Sequence, residues 1–136
     1  MASVDAKFDG NIFQFNQPLV IAMNRSSAVL IGVRLRYNSG GYPAGQLLAR
    51  NTTDGFYQKY ASGGSSGTDT AACVLFSAHP VEDFDSTAST GSTASVGIFG
   101  GCAVYKDRLT DYDSDALTDL KGRIIIGANG DELILF

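Results

Sequence analysis

Nearly all acidic residues in this chain are aspartates, and this imbalance limits the fold more than any other feature. Asp occurs 12 times and Glu only 2 times, alongside 4 Lys, in 136 residues. Asp favours turns and helix caps, whereas Glu and Lys favour helix interiors. The 16 Gly, 13 Ser and 9 Thr favour short strands joined by many turns. The composition therefore predicts a mainly β protein.

The length is that of one domain. We expect residues 1–18 to form an N-terminal arm and residues 19–136 to form one β-rich domain. No apolar run approaches the roughly 18 residues of a membrane span, and residues 1–20 lack the pattern of an export signal. We therefore expect no membrane partner and a cytoplasmic place of synthesis. Cys73 and Cys102 lie within apolar runs, which favours buried, reduced thiols over a disulfide.

Several apolar runs have the length and pattern of strands. Residues 28–37 alternate, which predicts a strand with one apolar face formed by Val29, Ile31, Val33 and Leu35. Further strands are predicted at residues 19–23, 71–78 and 96–104. Asp54-Gly55 and Asn129-Gly130 each separate two apolar runs, and these dipeptides predict hairpins.

One short helix is expected near the C-terminus. Ser114 or Asp115 is a suitable N-cap, and the helix is predicted to continue through Lys121. Gly122 follows in the position where a left-handed residue commonly ends a helix. The polar stretches at residues 61–70 and 85–95 are expected to be loops.

The N-terminal segment is unusually apolar, because it contains Phe8, Ile12, Phe13 and Phe15. Large apolar groups need a surface that buries them. Two interpretations are open. Residues 12–15 form an edge strand packed on their own domain, or the segment is an arm that docks on another subunit.

The residues that could act in catalysis or metal binding do not form a known motif. Gly63-Gly64-Ser65-Ser66-Gly67 fits a nucleophile pattern but lacks the flanking strand and helix, and His79 is the only histidine. Asp111, Asp113 and Asp115 alternate as in a calcium loop, but the required later Gly and Glu are missing. We therefore expect no catalytic residues, no metal site and no cofactor, and the protein is predicted not to be an enzyme.

The charge distribution argues against nucleic-acid binding. The net charge is −4, and residues 1–50 carry five cations and two anions, whereas residues 51–136 carry five cations and twelve anions. Binding to a phosphate backbone requires several Lys or Arg on one face. We therefore expect no nucleic-acid partner.

From residue 43 onward the order of features resembles the bacteriophage lambda-type head decoration family. The resemblance rests on Pro43-Ala44-Gly45-x-x-Leu48-Ala49-Arg50, Thr53-x-Gly55-x-Tyr57-x-x-Tyr60, Gly67-Thr68, Ala71-Ala72-Cys73-Val74-Leu75 and the apolar stretch at residues 96–109. It implies a compact, small β-barrel-like or β-tulip domain that forms a homotrimer. It also implies a capsid-stabilising (cement) protein of the virion exterior, present in the host cytoplasm during assembly, whose partner is the major capsid protein.

The resemblance suggests a role for the N-terminal segment. An arm can add a strand to a sheet edge of the coat protein. The capsid-binding residues are then predicted to be apolar anchors together with two cations that meet acidic coat surface: Phe8, Ile12, Phe13, Phe15, Lys7 and Arg25. The alternative function is a β-domain of a phage tail or fibre that binds host surface carbohydrate through exposed aromatic residues.

Overall fold

Strands dominate residues 20–136, which are the residues that the computed structural model describes, and this confirms the mainly β prediction. They include one α-helix, α1, at Ser114–Asp119. The strands are β1 Ile21–Met23, β2 Leu30–Arg36, β3 Leu47–Arg50, β4 Tyr57–Lys59, β5 Ala71–Leu75, β6 Ser92–Ile98, β7 Ala103–Tyr105, β8 Arg123–Ile126 and β9 Glu132–Leu135.

Five of the strands form a closed barrel in the order β2-β4-β3-β5-β6. The hairpin predicted around Asp54-Gly55 is confirmed, because β3 and β4 pair antiparallel across that turn. The barrel interior is filled by side chains that alternate along the strands: Val33, Leu35, Leu48, Cys73 and Leu75.

The other four strands form a sheet in the order β1-β7-β9-β8. Ile21, Val104 and Ile134 lie on one face of this sheet, in the same buried cluster as Leu47 and Val74 of the barrel. The neighbours of Leu47 and Val74 in sequence face the barrel interior, so β3 and β5 are buried on both faces. This explains the continuous apolar run predicted at residues 71–78, although β5 ends at Leu75.

The single strand predicted at residues 96–104 is wrong, because two strands in different sheets occupy this stretch. β6 ends at Ile98 in the barrel, and β7 starts at Ala103 in the four-stranded sheet. Gly100 and Gly101 make the corner with φ values of 131° and 76°. A side chain on Gly101 would collide with the carbonyl oxygen of Ser27, so this glycine is required by both conformation and space. β6 also begins at Ser92, inside the predicted loop of residues 85–95.

Helix α1 is present, but its caps differ from the prediction. Asp113 is the N-cap, and its carboxylate accepts a hydrogen bond from the N–H of Ala116 at 2.8 Å. The helix ends at Asp119, and Lys121 rather than Gly122 is left-handed, with φ 55°. The N–H of Gly122 bonds to the carbonyl of Leu117, which is the bond of a Schellman motif.

The C-terminal hairpin of β8 and β9 is confirmed, with a different turn. The N–H of Gly130 bonds to the carbonyl of Gly127, and the N–H of Gly127 bonds to the carbonyl of Asp131. Gly130 has φ 85°. The loop therefore has three residues with a left-handed glycine, in place of the predicted two-residue turn.

Both cysteines are buried and free, as predicted. Burial raises the pKa of the Cys73 thiol to about 12 and also raises the pKa of Cys102. The thiolate is the reactive form. We expect a thiol reagent such as DTNB at pH 8 to label the native protein at least about 100-fold more slowly than the urea-unfolded protein. Rapid labelling of the native protein would contradict this prediction.

Candidate interaction surface

Several large apolar side chains in the described part of the chain remain more than two-fifths exposed. They fall into two main groups. The first, named here the barrel rim, comprises Val29, Leu30 and Ile31; the second, the sheet edge, comprises Ile124 and Ile126. Exposed apolar groups that cluster on strands are typical of surfaces that meet a partner.

The barrel rim is exposed because β2 extends beyond its neighbour β4. β2 pairs with β6 over seven residue positions, but it pairs with β4 only where Leu35 faces Tyr57. Val33 and Leu35 are buried, whereas Ile31 on the same face is 46% exposed. The predicted apolar face is therefore buried in only one half. The other half is a strand edge without a partner strand among residues 20–136.

Arg25 lies four residues before the barrel rim in sequence. It begins the 3-10 turn Arg25–Ser27, and its exposed guanidinium stacks over the Phe76 ring, 5.5 Å from the ring centroid. The 3-10 turn and the barrel rim both bond to the corner formed by Gly100 and Gly101. The Ser27 hydroxyl is 2.6 Å from the carbonyl oxygen of Gly101, and the N–H of Val29 bonds to the carbonyl of Gly100. The structure thus places one predicted capsid-binding cation, Arg25, over an aromatic ring.

The other predicted capsid-binding residues lie outside the described residues. They are Lys7, Phe8, Ile12, Phe13 and Phe15. Their assignment stays a prediction. Sequence reasoning did not single out the barrel rim, because alternation placed Val29, Ile31, Val33 and Leu35 on one face without showing which part of that face is covered.

Two of the three aspartates in the calcium-like pattern have structural partners. Asp111 accepts a hydrogen bond from the Gln46 amide at 2.7 Å, and Asp113 accepts one from the Tyr60 hydroxyl at 2.9 Å in addition to capping the helix. Burial and the bond to Asp113 raise the pKa of Tyr60 to about 12. Between residues 20 and 136 no cluster of His, Cys, Asp and Glu is suited to hold a metal ion.

His79 joins a chain of hydrogen bonds that the sequence does not reveal. Its Nδ1 is 2.8 Å from the Asp83 carboxylate, and its Nε2 is 2.6 Å from the Ser95 hydroxyl. The Asp–His–Ser arrangement of these hydrogen bonds is the one found in a hydrolase triad. Ser95, however, lies within β6 opposite Val33 and lines neither of the two clefts described next. We interpret these hydrogen bonds as structural: they connect the 3-10 turn Val81–Asp83 to strand β6 of the barrel.

Two clefts lie on the surface near the four-stranded sheet. The acidic cleft has a volume of about 560 Å³ and is lined by Lys106, Asp107, Leu109, Asp111, Tyr112, Gly130, Asp131 and Glu132. Lys106 bonds to Glu132 at 2.9 Å and lies over the Tyr112 ring. The sheet cleft, of about 280 Å³, lies between β1 and the β8–β9 turn and is lined by Ala22, Met23, Tyr105, Gly127, Ala128, Asn129, Asp131 and Leu133.

No protein-family model, curated protein or solved structure matches this chain. The part of the chain that the structure describes contains no helix long and apolar enough to cross a membrane.

Proposed function

We propose that this chain is a phage capsid decoration protein that stabilises the expanded icosahedral head. It binds the outside of the shell as a homotrimer, and its partner is the major capsid protein. It works as a structural protein of the virion, without a catalytic site, a cofactor, a nucleic-acid partner or a membrane partner. The proposal rests on the resemblance carried by residues 43–109 and on the exposed apolar surface of the barrel.

The barrel rim is the observation that carries the proposal. Val29, Leu30 and Ile31 are consecutive and between 45% and 47% exposed. A strand edge of this kind gains free energy when another subunit covers it, through both apolar burial and backbone hydrogen bonds. We propose that the rim forms the contact around the threefold axis, with each subunit contributing the same apolar strand surface.

Imaging of capsids tests the proposed function directly. Expanded capsids that lack decoration are mixed with the purified protein, pelleted and examined by negative stain. We expect the protein to pellet with the capsids and to appear as protrusions at threefold positions. Capsids that stay bare at saturating protein would overturn the proposal. Free monomer that becomes trimeric on the shell is compatible with it, because the shell supplies association energy.

Deleting residues 2–16 is expected to weaken capsid binding at least tenfold, or about 1.4 kcal/mol. Phe13 and Phe15 alternate and would enter the coat surface together, each contributing about 2 kcal/mol before subtracting the costs of ordering and of any contact that it leaves in the free subunit. Cosedimentation with capsids measures the affinity, and deletion of residues 2–6 alone is the control that keeps every predicted anchor. Unchanged capsid affinity of the variant lacking residues 2–16 would show that this segment does not contribute to capsid binding.

A carbohydrate-binding tail or fibre domain is the second candidate, and the acidic cleft favours it. The cleft combines the Tyr112 ring with several carboxylates, a combination suited to sugar recognition. Lys106 already occupies a face of that ring, which leaves less of it for a sugar. Binding to a glycan array that is lost in Tyr112→Ala, with no binding to capsids, would establish this alternative.

A further inference from the structure

The edge strand β8 has no partner strand on its outer side within residues 20–136. It is the last strand of the order β1-β7-β9-β8 and reads Arg123-Ile124-Ile125-Ile126. Ile124 is 42% exposed and Ile126 is 66% exposed. Natural sheets usually protect such edges with charges, proline or a covering segment, because an apolar edge pairs readily with another strand.

The hydrogen-bond register shows which backbone groups of β8 face outward. The N–H of Gly127 bonds to the carbonyl of Asp131, which makes these two residues a bonded pair. Bonded and non-bonded pairs alternate along an antiparallel ladder, so Ile125 is bonded to Leu133 on β9. The N–H and C=O groups of Ile124 and Ile126 therefore point away from β9.

The chain outside the described residues ends at the opposite edge of the same sheet. Val20 leads directly into β1, and a strand added beyond β8 lies four strand spacings, about 19 Å, from β1. The carbonyl of Val20 already accepts a hydrogen bond from the N–H of Tyr105, so the free link runs from Phe15 to Val20. These five residue steps reach about 18 Å at full extension. Pro18 favours an extended chain here. A fully extended link thus brings the C-terminal end of residues 12–15 to about the far edge of the sheet.

The sheet cleft supplies a route for the connecting residues. It is lined by Met23 of β1, by Tyr105 and Leu133, and by the turn that follows β8. A link from β1 to a strand beside β8 would cross these lining residues. Because β1 and β8 run in opposite directions, a strand that turns once to enter β1 runs parallel to β8.

We propose that in the free subunit residues 12–15 add as a fifth strand to the β8 edge of their own sheet. Their backbone meets the outward N–H and C=O groups of Ile124 and Ile126, and Phe13 and Phe15 cover the two isoleucine side chains. The inference concerns the free subunit and does not depend on the proposed capsid function. It pairs the apolar residues 12–15 with the apolar β8 edge and explains how both are covered in solution.

Hydrogen exchange resolved by NMR tests the proposal, with the amide of Ile125 as the internal reference. In the intact chain, the amides of Ile124 and Ile126 are expected to exchange at least about tenfold more slowly than in a variant lacking residues 2–16. The variant lacking only Asn16 and Gln17 is expected to lose the same protection, because the remaining link is too short. Insertion of Gly-Ser after Gln17 is the matched control and keeps it.

Each other result overturns the proposal. Ile124 and Ile126 amides that exchange freely in the intact chain would show an open edge. If the amides of Ile124 and Ile126 stay protected after deletion of residues 2–16, another segment must cover the β8 edge. Protection that falls on dilution, or survives the two-residue deletion, would assign the strand to a second copy. If the long deletion does not fold, Phe13→Ser with Phe15→Ser takes its place, and unchanged protection in that variant counts against the proposal.

Discussion

Replacing Leu30 and Ile31 with lysine is expected to abolish the trimer and to weaken capsid binding at least about 100-fold, or about 2.7 kcal/mol. The two side chains are 45% and 46% exposed in the subunit, so each has about 1 kcal/mol of burial left to gain at an interface. Lysine removes this gain and adds a charge that must lose water. A trimer also binds through three contacts at once, and a monomer loses that advantage.

Sedimentation equilibrium and cosedimentation with capsids measure the two effects. The matched control carries the same two added charges in the exposed loop, at Thr87→Lys and Thr90→Lys. The loop variant is expected to melt close to the parent, because substitutions at exposed sites usually change stability by less than about 0.5 kcal/mol. The rim variant also loses the buried half of each side chain, about 1 kcal/mol per residue, and circular dichroism is expected to show that it stays folded. A rim variant that still forms trimers would place the threefold contact elsewhere.

Replacing Asp113 with alanine is expected to lower the free energy of unfolding by about 3 kcal/mol, an unusually large effect for one polar residue. Loss of the N-cap bond to Ala116 costs about 1 kcal/mol. The Tyr60 hydroxyl, in a residue only 3% exposed, is left without its acceptor at a cost of about 1 to 3 kcal/mol. Urea denaturation followed by circular dichroism measures the difference.

Two control variants separate the causes. Asp113→Asn keeps an oxygen that accepts both bonds and is expected to cost less than half as much. Asp115→Ala removes the same charge from the first turn of α1, where the side chain is exposed, and is expected to be nearly neutral. A cost below about 1 kcal/mol for Asp113→Ala would show that Tyr60 finds another partner.

The local patterns predicted the elements whose signals are local. Asp54-Gly55 and Asn129-Gly130 lie in the turns of the two hairpins, because these residues adopt turn conformations at little cost. The short helix was also predicted, although the capping residue was one or two positions away. Candidate caps at Asp113, Ser114 and Asp115 are nearly equivalent in sequence, and only the packing of Tyr60 distinguishes them.

The candidate interaction surface was less predictable. Alternation showed that Val29, Ile31, Val33 and Leu35 share one face of a strand, but not how far the neighbouring strand runs beside them. That length depends on β4, which meets β2 at one position only. The open half of the face is therefore a product of pairing between segments more than 20 residues apart in sequence.

By itself the sequence determined the β class, the turns and the alternating faces, since each follows from backbone preferences and the spacing of a few residues. The tertiary structure alone decided which sheet each strand joins, as Gly100 and Gly101 show by dividing one apolar run between the barrel and the four-stranded sheet. It also decided which apolar side chains stay exposed. Burial depends on what packs opposite a residue, and contacts between distant segments carry no local signal.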